Sequence, residues 1–360
     1  MKRSLLFAAI AAVAFSSCSK DDAISINETS KGIGFGVLNN KVQSRATETT
    51  VDNIGNFSVY AYNFADGSTV DYTTASPYYN NVTINVASGG VCTYNNNAEQ
   101  KMWPTGKLNF LAYSPANYAS YNKGTVSVDM SAKLSARLQQ DLVVAQKLNQ
   151  TRVDKVPMTF NHAMSQIKFR AASKYATVEF LVKSIKITGV NTKGNADLTT
   201  WTLTTPNGAT NIGNGLAWTA SDAATVVFGT KTEEKINTTG TAVDLTAISG
   251  ALMVIPQTLK GGDPVSATNT VTQILADMTH SYIVIEYSAT DKETGAVLVT
   301  NGRCAAPVST DLKAGLRYTY TMILAGSGDG SASEDKLYPI DFTCTVEGWV
   351  DGPTNIGGEI

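Results

Sequence analysis

The chain is poor in the residues that catalysis usually requires. Two histidines, His162 and His280, and four cysteines are all that 360 residues provide. No Gly-x-Ser-x-Gly elbow surrounds a serine, and no Cys-x-x-Cys or Cys/His spacing points to zinc. Charge is sparse as well: 28 basic and 30 acidic residues leave a net charge of −2, and no basic stripe marks a nucleic-acid surface. Asp329 and Asp335, around the stretch from Gly328 to Glu334, do not have the spacing of a calcium loop and read as a solvated linker. The Gly32, Gly34, Gly36 run spells a GxGxG pattern, but no helix follows it and no βαβ context exists, so it is not a phosphate loop. No internal repeat or coiled coil is visible. These absences predict a protein that is not an enzyme and that uses no cofactor and no metal.

What is abundant is Thr, Asn, Ser, Gly and Tyr, arranged as short strand-like runs between turn clusters. Phe57, Val59 and Ala61 alternate with Ser58, Tyr60 and Tyr62; residues 82–86 alternate as cleanly; Leu108 to Tyr113 follows a Trp103-Pro104-Thr105-Gly106 turn. Regular strands with turn residues between them predict an all-β protein. The expected architecture is two tandem β-sandwich domains, Greek-key and transthyretin-like, with at most short helices; Met130 to Gln140 is the one stretch able to form a helix. The polar segment from Gln146 to Asp154 places the boundary between an N-terminal domain, 46–153, and a C-terminal domain, 154–360.

The first 45 residues read as a targeting and leader region. Lys2 and Arg3 precede an apolar run from Leu5 to Phe15, far short of the roughly 20 residues that span a bilayer. Residues 1–17 are therefore a secretory signal, and Phe15-Ser16-Ser17-Cys18 resembles a lipobox. Cutting there leaves Cys18 as an acylated first residue, with palmitate-type chains giving a membrane anchor. Ser19-Lys20-Asp21-Asp22 resembles an export tag for surface lipoproteins. Within the leader, 18–45, Ile33, Phe35 and Val37 alternate with glycines in the period-2 pattern of a half-buried strand. The remaining cysteines, Cys92, Cys304 and Cys344, are odd in number and cannot all pair; one disulfide with a free thiol, or three thiols, both fit. Tyr60, Tyr62, Tyr78, Tyr79, Tyr113 and Tyr118 could line a glycan-binding face, or be ordinary strand residues.

Taken together, the lipobox at Cys18, the Ser44-Arg45-Ala46-Thr47-Glu48 segment, Phe57 to Tyr62 and Trp103 to Pro115 resemble the fimbrillin family, the subunits of type V pili. So do Val156 to Phe169, Leu312 to Leu324 and the closing Cys344-Thr345-Val346-Glu347-Gly348-Trp349. The resemblance implies a surface lipoprotein precursor cut once, between Arg45 and Ala46, by an arginine-directed surface protease. Losing the leader strand would open an apolar groove with unpaired backbone edges, a template for a strand from another subunit. Head-to-tail exchange does not close, so it yields a filament. The implied donor is the C-terminal segment, whose candidates are Ile340, Phe342, Cys344, Val346, Trp349 and Val350. After Val350, the Asp351-Gly352-Pro353 and Gly357-Gly358 pieces are poor strand formers. Implied partners are other pilin subunits, in a homo- or hetero-polymer, the outer membrane of a Gram-negative bacterium through Cys18 before processing, and a host glycan or protein. The expected role is a stalk or tip subunit of an adhesive surface fimbria. A surface lipoprotein that binds carbohydrate or other nutrients is the alternative; it would stay full-length after Cys18.

Overall fold

The computed structural model describes residues 32–37, 54–210, 212–228, 235–237, 239–245, 251–263, 270–324, 337–339 and 341–349. The protein is all-β, as the alternating patterns predict.

The first half contributes ten strands: β1 (Phe35–Val37), β2 (Asn56–Phe64), β3 (Tyr79–Ala87), β4 (Val91–Tyr94), β5 (Lys107–Ser114), β6 (Ser120–Asn122), β7 (Thr125–Asp129), β8 (Val143–Gln150), β9 (Val156–Met158) and β10 (Asn161–His162). Eight of them form one sheet, in the order β10-β8-β5-β2-β3-β4-β1-β9. Alternation along β2 feeds two different cores. Phe57, Val59 and Ala61 join Phe110, Ala112 and Ile84 on one side. Tyr60 and Tyr62 join Leu111, Tyr113 and Trp201 on the other. A sheet buried on both faces can carry apolar or aromatic residues at every position, which is why β2 and β5 look nearly continuous in burial. The expected domain boundary at 153/154 falls between β8 and β9, and both of those strands lie in this first sheet.

The second half supplies β11 (Ser165–Ser173), β12 (Val178–Asp197), β13 (Trp218–Phe228), β14 (Lys235–Ile236), β15 (Val243–Asp244), β16 (Leu252–Val254), β17 (Thr258–Leu259), β18 (Tyr282–Asp291), β19 (Val297–Pro307), β20 (Thr310–Asp311), β21 (Leu316–Leu324), β22 (Leu337–Pro339) and β23 (Asp341–Gly348). One sheet runs β15-β11-β21-β23, with β16 also on β11; a second runs β22-β19-β18-β12-β7-β6, with β13 and β14 on β12. Strands β17 and β20 pair separately. The main core lies between these two sheets: Ile167 and Phe169 of β11 and Tyr318 and Tyr320 of β21 pack with Phe180 and Ile185 of β12 and Tyr287 of β18.

β12 is 20 residues long and joins the halves. Its first part pairs with β18; its last part pairs with β7, from Lys193 opposite Asp129 to Asp197 opposite Thr125. The register on its β13 side shifts between Ile187 and Val190, at Gly189. There φ is +63°, and a Cβ would lie 2.5 Å from the carbonyl oxygen of His280. Only glycine fits that bulge without displacing backbone.

The helix expected over 130–140 does not form; a single 3-10 turn spans Ala136–Leu138. Tertiary hydrogen bonds take the backbone elsewhere. The Leu134 carbonyl accepts from Val227 N–H, while the Gln139 side chain accepts from Met253 N–H through Oε1 and donates through Nε2 to the Lys133 carbonyl. The α-helix among the described residues is α1 (Val271–Ala276), started by a capping box between Thr270 and Gln273. No helix among the described residues is long and apolar enough to cross a membrane.

Candidate functional site

The leader residues occupy an internal slot. β1 pairs antiparallel with β4, Gly36 opposite Val91, and parallel with β9, where Phe35, Gly36 and Val37 face Val156, Pro157 and Met158. Ile33, Phe35 and Val37 are all buried, at 0, 3 and 8% exposure. Burying side chains of this kind contributes about 2 kcal/mol each. The Phe35 ring is enclosed by aromatics: Phe110 at 5.7 Å and Phe57 at 6.0 Å, both edge-on, with Tyr94 and Tyr79 at 6.0 and 6.3 Å.

Backbone and side chains beyond the ladder hold the same segment. Ile33 N–H donates to the Lys101 carbonyl (2.8 Å), Val37 N–H to Gly90 (3.3 Å), and Val156 N–H donates to the Gly34 carbonyl (2.8 Å). The Ile33 carbonyl accepts from the Tyr94 hydroxyl at 2.7 Å and from Gln100 Nε2 at 3.2 Å. The alternating glycines match this crowding on the outer side. A Cβ on Gly32 would meet the Gln100 side chain at 2.7 Å, and one on Gly34 the Asp154 carbonyl at 3.1 Å. Tyr79, Tyr94, Gln100 and Lys101 were not identifiable as site residues from sequence, because nothing local marks a residue that pairs with a segment some sixty positions away.

β9 sits at the end of the sheet, and among the described residues its ladder partner is β1. β4 pairs with β3 on its other side. The slot therefore has two walls, and each would expose a row of backbone donors and acceptors with β1 gone.

The described donor candidates lie in or next to a strand of a different sheet. β23 is the edge strand of its sheet and pairs antiparallel with β21 over eight residues, from Leu316 opposite Gly348 to Ile323 opposite Asp341. Cys344 and Val346 are half-buried and pack on the main core. Phe342 belongs to the same strand. Trp349, next in sequence, is buried at 2% exposure. Its ring stacks on His162 at 3.9 Å, and its backbone N–H donates to the Gly315 carbonyl. Ile340, Val350, Cys18, Arg45 and Ala46 lie outside the described residues.

Two His–Asp pairs could suggest acid–base chemistry: His280 Nδ1 lies 2.9 Å from Asp277 Oδ2 in a partly exposed turn, and in the interior His162 Nδ1 lies 2.8 Å from Asp141 Oδ2. Both residues are buried, and Trp349 covers the imidazole face. The nearby Ser165 hydroxyl donates to the Lys313 carbonyl. The pair is thus part of the packing at the junction of the two halves. Among the described residues no group of three or more His, Cys, Asp or Glu could hold a metal.

The three described cysteines are thiols: Cys304 is buried, Cys92 and Cys344 half-buried. Burial pushes all three thiols up, Cys344 to about 11. The tyrosines that could have formed a glycan face are mostly interior. Tyr60, Tyr62, Tyr79, Tyr113 and Tyr118 are buried, and Tyr78 is half-buried beneath Lys101.

A family model described as fimbrillin-like matches residues 44–349. Similar solved structures include one described as a candidate cell adhesion protein from Bacteroides ovatus ATCC 8483, with 13% identity, a TM-score of 0.48, and coverage of 89% of this chain and 98% of that one. A second cell adhesion candidate, from Bacteroides uniformis ATCC 8492, has 14% identity, a TM-score of 0.44, and coverage of 88% and 99%. A fimbrilin from Porphyromonas gingivalis W83 has 10% identity, a TM-score of 0.41, and coverage of 90% and 98%. No curated protein matches the chain.

Proposed function

The chain belongs to the fimbrillin-like family, and from that premise we propose that it is exported as a lipoprotein on Cys18, cut after Arg45, and polymerised by strand exchange. Family membership makes it a structural subunit of the pilus or adhesion type at the cell surface rather than an enzyme. The processing and exchange steps are our reading. They are supported above all by one observation: the leader strand β1 is three residues seated between two strands, filling a buried aromatic slot.

Exchange through β23 has a definite balance. Among the described residues β23 is an edge strand with one ladder partner, β21. In the slot of another copy it gains two walls, β4 and β9, where main-chain bonds give affinity and alternate side chains set register. Against this stand the loss of its ladder to β21 and the withdrawal of Trp349 from its pocket. Trp349 thus acts as the latch that keeps the strand at home until an acceptor slot is open. The leader, by occupying the slot, keeps the precursor monomeric.

The deciding experiment is the N-terminal sequence and intact mass of the protein sheared from the cell surface. A chain starting at Ala46 and running as multimers is expected. A monomer beginning at lipid-modified Cys18 would overturn the subunit reading and favour the nutrient-binding alternative. Arg45→Ala is expected to hold the protein in that unprocessed, monomeric form.

A further inference from the structure

The fate of the three thiols follows from where the fold puts them. Cys304 lies in the main core at 2% exposure. Cys92 stands on β4, a wall of the leader slot, and packs partly against the aromatic core of the first sheet. Cys344 stands on β23, the edge strand of a different sheet. Within one molecule Cys92 and Cys344 are both free thiols and pack against different cores.

Strand exchange would bring them together. The leader segment reads Ile33-x-Phe35-x-Val37, and the terminal segment reads Ile340-x-Phe342-x-Cys344. Aligning isoleucine on isoleucine and phenylalanine on phenylalanine returns an aromatic ring to the pocket formed by Phe57, Phe110, Tyr79 and Tyr94. This register places Cys344 where Val37 now sits. With Gly36 opposite Val91, that position is the diagonal neighbour of Cys92 on the same face of the sheet: the Cys92 thiol and the Val37 N–H both reach the same acceptor, the Gly90 carbonyl, at 3.5 and 3.3 Å. Val37 is also a buried position, so the two sulfurs would face the same interior.

We propose that successive copies of this chain are stapled by a disulfide between Cys92 of the accepting copy and Cys344 of the donating copy. The inference rests on the strand-exchange reading above and adds to it a register and a covalent bond. The step needs a two-electron oxidant, and a small disulfide serves. One thiolate attacks it to give a mixed disulfide and one released thiol; the second protein thiol then displaces the other half. Two protein thiols and one oxidised glutathione become one protein disulfide and two reduced glutathiones. The odd cysteine count is then accounted for, with one buried thiol and one pair shared between neighbours.

The test uses the processed chain after polymerisation, treated with oxidised glutathione and boiled in detergent without reductant. Multimers that collapse on reduction, with a Cys92–Cys344 peptide found by mass spectrometry, are expected. Cys92→Ser and Cys344→Ser should each give monomers on the boiled gel while electron microscopy still shows filaments; Cys304→Ser should change nothing. Mixing the two single variants should give covalent dimers and nothing larger, because each dimer holds one complete pair. Filaments that boil to monomers in the unsubstituted chain, with all thiols still free, would overturn the register and leave strand exchange standing. Absence of filaments would remove the strand exchange on which the staple depends.

Discussion

The indole of Trp349 lies flat on the imidazole of His162, with ring centroids 3.9 Å apart and planes within 6°. His162 is itself fixed by Asp141 on one side, and its carbonyl accepts from the Asn214 side chain. The end of the last strand is thereby fastened to β10, a strand of the first sheet.

Trp349→Ala removes that fastening. Truncating a buried aromatic costs about 3–5 kcal/mol, so the uncut monomer should melt at a clearly lower temperature. Once cut, the same variant should exchange strands faster than the unsubstituted chain, measured by light scattering. Slower polymerisation would show that Trp349 is not a latch.

Phe35→Ala should separate the two forms of the protein. In the precursor it empties the aromatic pocket and lowers unfolding free energy by about 3–5 kcal/mol. In the chain starting at Ala46 residue 35 is gone, so polymer yield should match that of the unsubstituted protein. Denaturant titration of the precursor beside filament assays of the cut form checks both arms.

Thiol alkylation in the native precursor should be graded by environment. Cys304, enclosed in the core, should react only on unfolding. Cys344 should react about tenfold faster per pH unit until about 11, where burial has pushed its thiol, because the thiolate is the nucleophile. Peptide-resolved mass spectrometry after timed labelling gives each rate. A plateau for Cys344 near pH 8.5 would contradict the buried setting.

Glu286 should make one contribution to acid sensitivity. Burial works to raise its carboxyl, but the Ser184 hydroxyl, Lys186 and Arg303 outweigh that and hold it below its ordinary value. The Ser184 hydroxyl donates at 2.7 Å, and Lys186 Nζ lies at 3.2 Å. A depressed folded-state value stabilises above the unfolded value, about 4.3 for glutamate, and that stabilisation is lost as pH falls through the folded value. The unsubstituted protein should therefore lose stability relative to Glu286→Gln as pH drops below about 4. Parallel thermal melts of the two between neutral and acid pH would show this; a constant difference would refute it.

Sequence showed most plainly those features that depend on local alternation. The burial of Ile33, Phe35 and Val37 could be anticipated from their spacing, and so could the inward and outward residues of β23. The short helix α1 and its capping box at Thr270 and Gln273 were not anticipated. What alternation cannot reveal is the partner of each strand. Nothing around Thr125–Asp129 announces that it pairs with the end of β12, because that pairing is made across some seventy residues. The helix expected over 130–140 failed for the same reason. Good local helix formers were overruled by backbone partners at Val227 and Met253. The slot's walls, β4 and β9, come together only when the sheet is complete.

The long strand β12 has a mechanical meaning. Its five-residue ladder with β7 runs alongside the direction in which the two halves would be drawn apart if tension followed the strand. Hydrogen bonds arranged along a pull must break together, whereas those arranged across it open one after another like a zip. The β6–β7 hairpin, reaching from the first half onto the second half's sheet, makes the junction a lap joint rather than a hinge.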